Sequence, residues 1–510
     1  MAEFLTSLAD INDKINTFVW VKIGLFLLIG TGILMTLLTK FFQITHIGHW
    51  MSKTIGGLFR KDSHDKSDKS SVSQFQALCT ALAATIGTGN IAGVAAAICV
   101  GGPGAVFWMW VAAFFGMMTN FSENVLGIYY RRKNSENEWS GGAMYYLQDG
   151  LGGYKNCKVI GKILAVLFAI FAILASFGIG NMGQINKIVI NVESAFFSGV
   201  DSKILFGDVT VVAFLLGMTL MVIGGLIILG GLQRIAAFAE RIVPFMALAY
   251  IVGAFIIMCF HITAVPAMFE AIFKFAFGIK AVAGGAAGVA ISTVITQGCK
   301  RGVFSNEAGL GSSVMVHSNS NVKEPVKQGI WGIFEVFADT FIVCTMTAIV
   351  VLSSGYINLE TGLANEGIED ATLVQQAFAN VFGEPGKWFV ALAVLLFAFT
   401  TVLGWSHYGS KAVEYLFGTT GAKIYRVIFV LMIVSGALMT SSIAWDISDT
   451  FNGLMMIPNL IGVVALSPVV VKITNNYVKR KLKGENVEPV LSHFEDIQAA
   501  HAKEVENGAE

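Results

Sequence analysis

Two short stretches of this 510-residue chain combine residue types that can hold a small charged molecule inside an apolar setting. In ALAATIGTGNIAGVAAA, the residues Gly87, Thr88, Gly89, Asn90 and Gly93 interrupt a run of alanines and branched aliphatics. Glycine weakens a helix by about 1 kcal/mol relative to alanine, and Asn and Thr offer the backbone competing partners, so unwinding is predicted here. In ISTVITQGCKRGVFSNEAGLGSS, the residues Gln297, Gly298, Lys300, Arg301, Gly302, Ser305, Asn306 and Glu307 interrupt a second apolar run. Unwound backbone exposes carbonyls to a bare cation, while the amino end of a half-helix presents amides and a positive dipole to a carboxylate. Such a pair suits a zwitterion plus a cation. The competing reading is close helix packing, since Gly89 and Gly93 have the GxxxG spacing.

The elements that carry these stretches follow from composition. The chain is 55% hydrophobic and only 13% charged, with 34 basic and 34 acidic residues. Soluble domains carry about 25% charged residues, so a cytosolic enzyme or disordered scaffold is excluded, and zero net charge argues against a nucleic-acid binder. The 55 glycines suit helices packed backbone to backbone in lipid. The six cysteines (Cys79, Cys99, Cys157, Cys259, Cys299, Cys344) form no CxxC pair and read as small hydrophobes. Runs of about 20 apolar residues cross a bilayer, and eleven are predicted: 17–38, 75–100, 103–129, 161–190, 209–230, 235–260, 282–316, 330–354, 388–417, 425–442 and 443–473. The opening MAEFLTSLADINDK lacks the basic start of a signal peptide, so the first run reads as a retained helix.

Counting Lys and Arg in alternate loops gives 27 on one side and 6 on the other, which places the amino terminus outside and the carboxy terminus in the cytoplasm. Lys300 and Arg301 are counted inside, with Glu307 as a candidate partner. The polar stretch 53–73 reads as a cytoplasmic linker, and the chain after 475 as a solvated tail.

The interrupted spans stand five apart. Five is odd, so a second five-helix unit enters the membrane from the opposite side, the inverted-repeat plan of secondary transporters. The expected architecture is all-α, with one extra helix and linker over 1–72, repeats over 73–262 and 263–475, and a tail over 476–510. GTGNIA follows no strand, and GxxxxGK[ST], HExxH and GxSxG are absent. Glu123, Glu240, Arg241, Glu335, Asp339, His407, Lys411, Asp446 and Asp449 lie within or near spans, and structural or gating roles are expected over a proton path. No repeated filter supports an ion channel, and no nucleophile with a base or metal cluster supports an intramembrane enzyme.

Residues 73–131, with TGNIAGV followed by GGPGAVFWMW, resemble the sodium:alanine symporter family of prokaryotic amino-acid carriers. The likeness continues through GGAMYYL (141–147), VFSNEAGLGS (303–312) and LGWSHYG (403–409), covering about residues 15–475. It implies the five-plus-five fold of the leucine transporter with an extra leading helix, in a prokaryotic cell membrane. It also implies sodium-driven uptake of alanine or glycine by a monomer without an organic cofactor, although the family includes glutamine carriers. Combined with the broken helices, it implies a substrate site of Gly87, Thr88, Gly89, Asn90, Gln184, Phe304, Ser305, Thr401 and Trp405. For sodium it points to the carbonyls of Ala83 and Ile86 and the hydroxyls of Thr400 and Thr401, with Thr401 undecided between the two jobs. On the residues alone, both threonines can instead bond the preceding turn, Trp405 can pack, and Gln184 can glue helices.

Overall fold

A computed structural model of the chain describes residues 2–57, 71–197, 204–206, 209–278, 291–365, 370–439 and 443–506. The long apolar helices form as the hydropathy requires. In chain order they are α1 (Ala9–Leu38), the pair α2 (Gln74–Thr85) and α3 (Gly89–Gly101), α4 (Gly104–Tyr129), α5 (Lys158–Phe196), α6 (Val211–Ile228) and α7 (Leu232–Phe260). Helix α8 (Ile291–Asn306) follows, then α9 (Pro325–Ser353), α10 (Glu384–Ala437) and α11 (Asp446–Ala465). Among the described residues, eight helices are long and apolar enough to cross a membrane, or nine if α2 and α3 count as one bent span. The outward faces suit lipid: Leu226 on α6 and Phe245 and Leu248 on α7 are among the most exposed large side chains.

Two elements depart from a simple list of spans. The 54-residue α10 has non-helical geometry at Gly418 (φ 74°, ψ −176°), which only glycine adopts without strain, so two helices meet there. This accounts for the separate runs 388–417 and 425–442. The expected start of the seventh run, at 282, lies outside the described residues, as does most of the linker stretch, 58–70.

Packing brings α10 against α2. A Cβ on Gly404 would stand 2.6 Å from Ala84 Cβ, so glycine is needed for the approach that sets the middle of α10 beside the end of α2. Buried charge is handled by pairing, as the cost of isolated charge in lipid demands. His317 Nε2 lies 3.0 Å from Glu335, Asn459 donates to Glu123, and Lys411 meets Glu414 at 3.0 Å. Glu240 accepts from Gln76 of α2 at 2.8 Å.

The segment that follows α11 corrects one expectation. The chain beyond 475 is not a solvated tail: Leu491 is fully buried, and the His493 amide donates to the Tyr129 carbonyl at 2.9 Å. Helix α12 (Glu495–Glu506) follows, and its Glu504 pairs with Lys323. His501 lies against Trp139 of a small hairpin, β1 (Arg132–Lys133) with β2 (Trp139–Ser140), and burial pushes its imidazole down to about 4. Arg480 forks onto the buried Glu324 carboxylate at 2.6 and 2.8 Å. Two-residue strands and a docked tail leave no periodic hydropathy signal, so the sequence pattern did not show them.

Candidate functional site

The first break forms where predicted. Ser73 and Gln76 close a capping box that starts α2, the helix ends at Ile86 (φ −76°, ψ 85°), and α3 leaves at 53° to it. Gly87 and Thr88 lie between, so their amides face side chains in place of helical carbonyls. The Gly87 amide donates to Asn90 Oδ1 at 2.9 Å, and the Thr88 amide donates to Gln184 Oε1 at 3.3 Å. Gln184 reaches there because its Nε2 is fixed on the Ile179 carbonyl at 3.1 Å, in the turn where α5 loosens. Both amides are thus held by neutral side-chain oxygens at a position open to carboxylate chemistry.

The second break lies later than the sequence suggests: Gln297, Gly298, Lys300, Arg301 and Gly302 stay within the unbroken helix α8. Helix α8 ends at Asn306, and the chain turns through Glu307 (φ 56°), Gly309 (φ 92°) and Gly311 (φ 73°) before a short helix at Val314–His317. Gly89 and Phe304 touch across the two breaks: a Cβ on Gly89 would stand 3.1 Å from the Phe304 ring and 3.3 Å from Ser305 Cα.

Asp339 of α9 joins the breaks. Its Oδ1 accepts from Asn90 Nδ2 at 2.6 Å, and its Oδ2 accepts from the Ser305 hydroxyl at 2.7 Å and from the Thr340 hydroxyl at 2.9 Å. The carboxylate is fully buried, Cys344 Sγ also approaches its Oδ2 at 4.0 Å, and all four partners are neutral. A buried anion so placed favours a cation beside it. The reading of Asp339 as structural or gating had missed this convergence; its signal was an acidic residue mid-span in the helix after the second break.

The cation-side residues divide. Thr401 Oγ1 meets the Ala83 carbonyl at 3.1 Å and the Phe397 carbonyl at 3.0 Å, and a Cβ on Gly87 would lie 2.4 Å from it. Thr401 therefore borders both the end of α2 and the gap that follows, consistent with its undecided assignment. Thr400 bonds the Phe397 carbonyl at 3.0 Å and approaches Met246 Sδ at 3.7 Å, a bond to the preceding turn of the kind membrane threonines often make. Ile86 caps α2 with its amide on the Leu82 carbonyl at 2.8 Å. Trp405 is buried against Gly180, where a Cβ would stand 2.5 Å from it, and its indole bonds the Glu307 carboxylate.

A cavity of about 60 Å³ opens beside the breaks, lined by Thr88, Gly93, Ala96, Lys187, Arg301 and Phe304. The Thr88 hydroxyl is buried there with no partner among the described residues. Lys187 was counted only as a loop charge in the sequence, yet it adds a cation to this lining. Lys300 and Glu307 do not pair as expected. Lys300 binds Asp449 at 2.6 Å and Asn16 of α1 at 3.2 Å, whereas Glu307 accepts from Ser312 at 2.5 Å. Helix α8 carries Lys300 toward the start of α1, which moves Lys300 and Arg301 to the amino-terminal side and leaves the charge count at 25 against 8.

Unwound helices crossing near a buried carboxylate, inside a bundle with a lipid-suited surface, define a membrane carrier. The model of the sodium:alanine symporter family matches residues 5–491, and the chain belongs to that family. It is similar to the sodium/alanine symporter AgcS of Methanococcus maripaludis, with 42% identity over 93% of this chain and 98% of that one. An uncharacterized transporter of Haemophilus influenzae is 40% identical over 93% of this chain and 97% of its own. A probable sodium/glutamine symporter of Bacillus subtilis, GlnT, is 36% identical over 95% and 93%. A solved structure of MhsT with L-phenylalanine aligns at 14% identity with a TM-score of 0.49, covering 79% of this chain and 98% of that one. The protein is a multi-pass sodium-coupled amino-acid transporter and not an enzyme.

Proposed function

We propose that this chain carries alanine or glycine into the cell with sodium, binding both at the crossing of its two broken helices. The observation that carries this reading is the meeting of Asn90, from the first break, and Ser305, from the second, on the Asp339 carboxylate. The substrate carboxylate displaces the Asn90 and Gln184 oxygens from the Gly87 and Thr88 amides, aided by the unpartnered Thr88 hydroxyl. The positive charge that arrives with the cargo is offset by Asp339. Sodium takes the Ala83 carbonyl and the Thr401 hydroxyl, hard oxygens already 3.1 Å apart, with Ile86 and a turned Thr400 completing the set. Phe304 and Trp405 bound the volume, which favours a methyl or hydrogen side chain over the longer one of glutamine.

In this reading the topology is eleven spans: the extra helix α1 and linker (1–72), two inverted five-helix repeats (73–262 and 263–475), and the cytoplasmic segment 476–510. The amino terminus is outside, the membrane is the cell membrane of a prokaryote, and one chain suffices for transport. Alternating access rocks one set of helices against the other about the fixed site. Competition of labelled alanine uptake by glycine, D-alanine, serine and glutamine tests the cargo. Inhibition by glycine and serine with glutamine ineffective supports the small site, whereas glutamine as the strongest competitor replaces it with the larger cargo.

A further inference from the structure

A second cavity, of about 330 Å³, lies beyond the small one on the amino-terminal side. Asp10 and Asp13 of α1 and Asp446 and Asp449 of α11 line it against Lys300 and Arg301 of α8. Lys300 is committed to Asp449. Arg301 is not so committed: its Nε is buried without a partner among the described residues. Asp449 is only 6% exposed, and its Oδ1 has no partner among the described residues. Asp446 sits in the electrostatic field of Asp449, Asp13, Lys300 and Arg301, so the charges of three helices act on one volume.

Arg301 lines both cavities. Its guanidinium stands 5.9 Å from the centre of the Phe304 ring, so the arginine and the ring that borders the inner cavity form one contact. A guanidinium binds carboxylates in a bidentate fork, and the carboxylates that share the cavity can receive an ammonium. Opposite charges lining one cavity can recognise a molecule that carries both.

We propose that the outer cavity is a first docking site for the free amino-acid zwitterion, with the carboxylate on Arg301 and the ammonium on the Asp10, Asp13 and Asp446 wall. Arg301 then hands the carboxylate past Phe304 toward Thr88. Helix α1, which lies outside the paired broken helices, thereby gains a direct part in substrate capture. This inference rests on the inner site being the transport site.

The test is uptake kinetics in proteoliposomes for the double variant Asp10→Asn with Asp13→Asn, both positions exposed, and for Arg301→Gln and Arg301→Lys. Losing these charges raises the alanine KM about fivefold for the aspartate pair, with kcat and sodium half-saturation unchanged, and at least about tenfold for Arg301→Gln. Arg301→Lys, which keeps the charge and loses the fork, falls between wild type and Arg301→Gln. An unchanged alanine KM in the aspartate variant overturns the proposal, even if Arg301→Gln fails to fold. A rise in sodium half-saturation alone also overturns it, since the cavity would then gather cations. Failure of the wild-type protein to take up any neutral amino acid with sodium would instead remove the transport reading beneath it.

Discussion

Thr401 donates its hydroxyl to the Ala83 carbonyl at 3.1 Å, joining the middle of α10 to the last turn of α2 immediately before that helix breaks. Both oxygens lie where sodium binding would tie two helices together. Thr401→Val keeps the shape and removes the oxygen, so sodium half-saturation in uptake assays rises at least about tenfold, while Thr401→Ser retains near wild-type behaviour. Equal sodium dependence in the two variants would remove Thr401 from the ion site.

Asp339→Asn removes the charge but keeps a planar side chain able to accept from Ser305 and Thr340. A buried charged hydrogen-bonding partner contributes more than a neutral one, so apparent alanine affinity falls roughly tenfold to hundredfold. Equilibrium binding of labelled alanine to purified protein, with and without sodium, reads this directly. Unaltered binding would return Asp339 to a structural role.

Gly87 has no room for a side chain, since a Cβ there would meet Thr401 Oγ1 at 2.4 Å. Gly87→Ala is therefore expected to cut transport by at least about tenfold through local overpacking, with the protein still inserted and monodisperse. Size-exclusion profiles alongside uptake separate this from misfolding.

The C-terminal segment yields a stability prediction. Arg480→Ala strands Glu324, which is 1% exposed and accepts both arms of the guanidinium. Breaking such a buried pair costs roughly 3–5 kcal/mol, so the melting temperature of the detergent-solubilised protein drops clearly. Adding Glu324→Gln recovers part of the loss, because the stranded charge is gone.

The first break was legible in the sequence because it depends on local chemistry, glycines with Asn and Thr inside an apolar run, whereas the charges that marked the second stretch sit in an unbroken helix and the chain opens only after Asn306. Membrane helices were legible for the same reason, as every buried backbone group must be satisfied within its own segment. Partnerships across helices were not. Asp339 stands 34 residues after Ser305, and nothing in its neighbours says that Asn90 also points at it. Lys300 shows the opposite failure: Glu307 is close in sequence, yet helix direction carries the lysine toward Asn16 and Asp449. The docked segment after 475 is polar by composition, and its burial rests on single contacts such as Leu491 and His493 that leave no period.

The central claim, that sodium and a small neutral amino acid share the site at the crossed breaks, is tested most directly by alanine accumulation in proteoliposomes under an inward sodium gradient. Replacing sodium by potassium on both sides is expected to abolish accumulation, and sodium and alanine should each raise the other's affinity by the same factor. Accumulation of equal size without sodium would contradict the account.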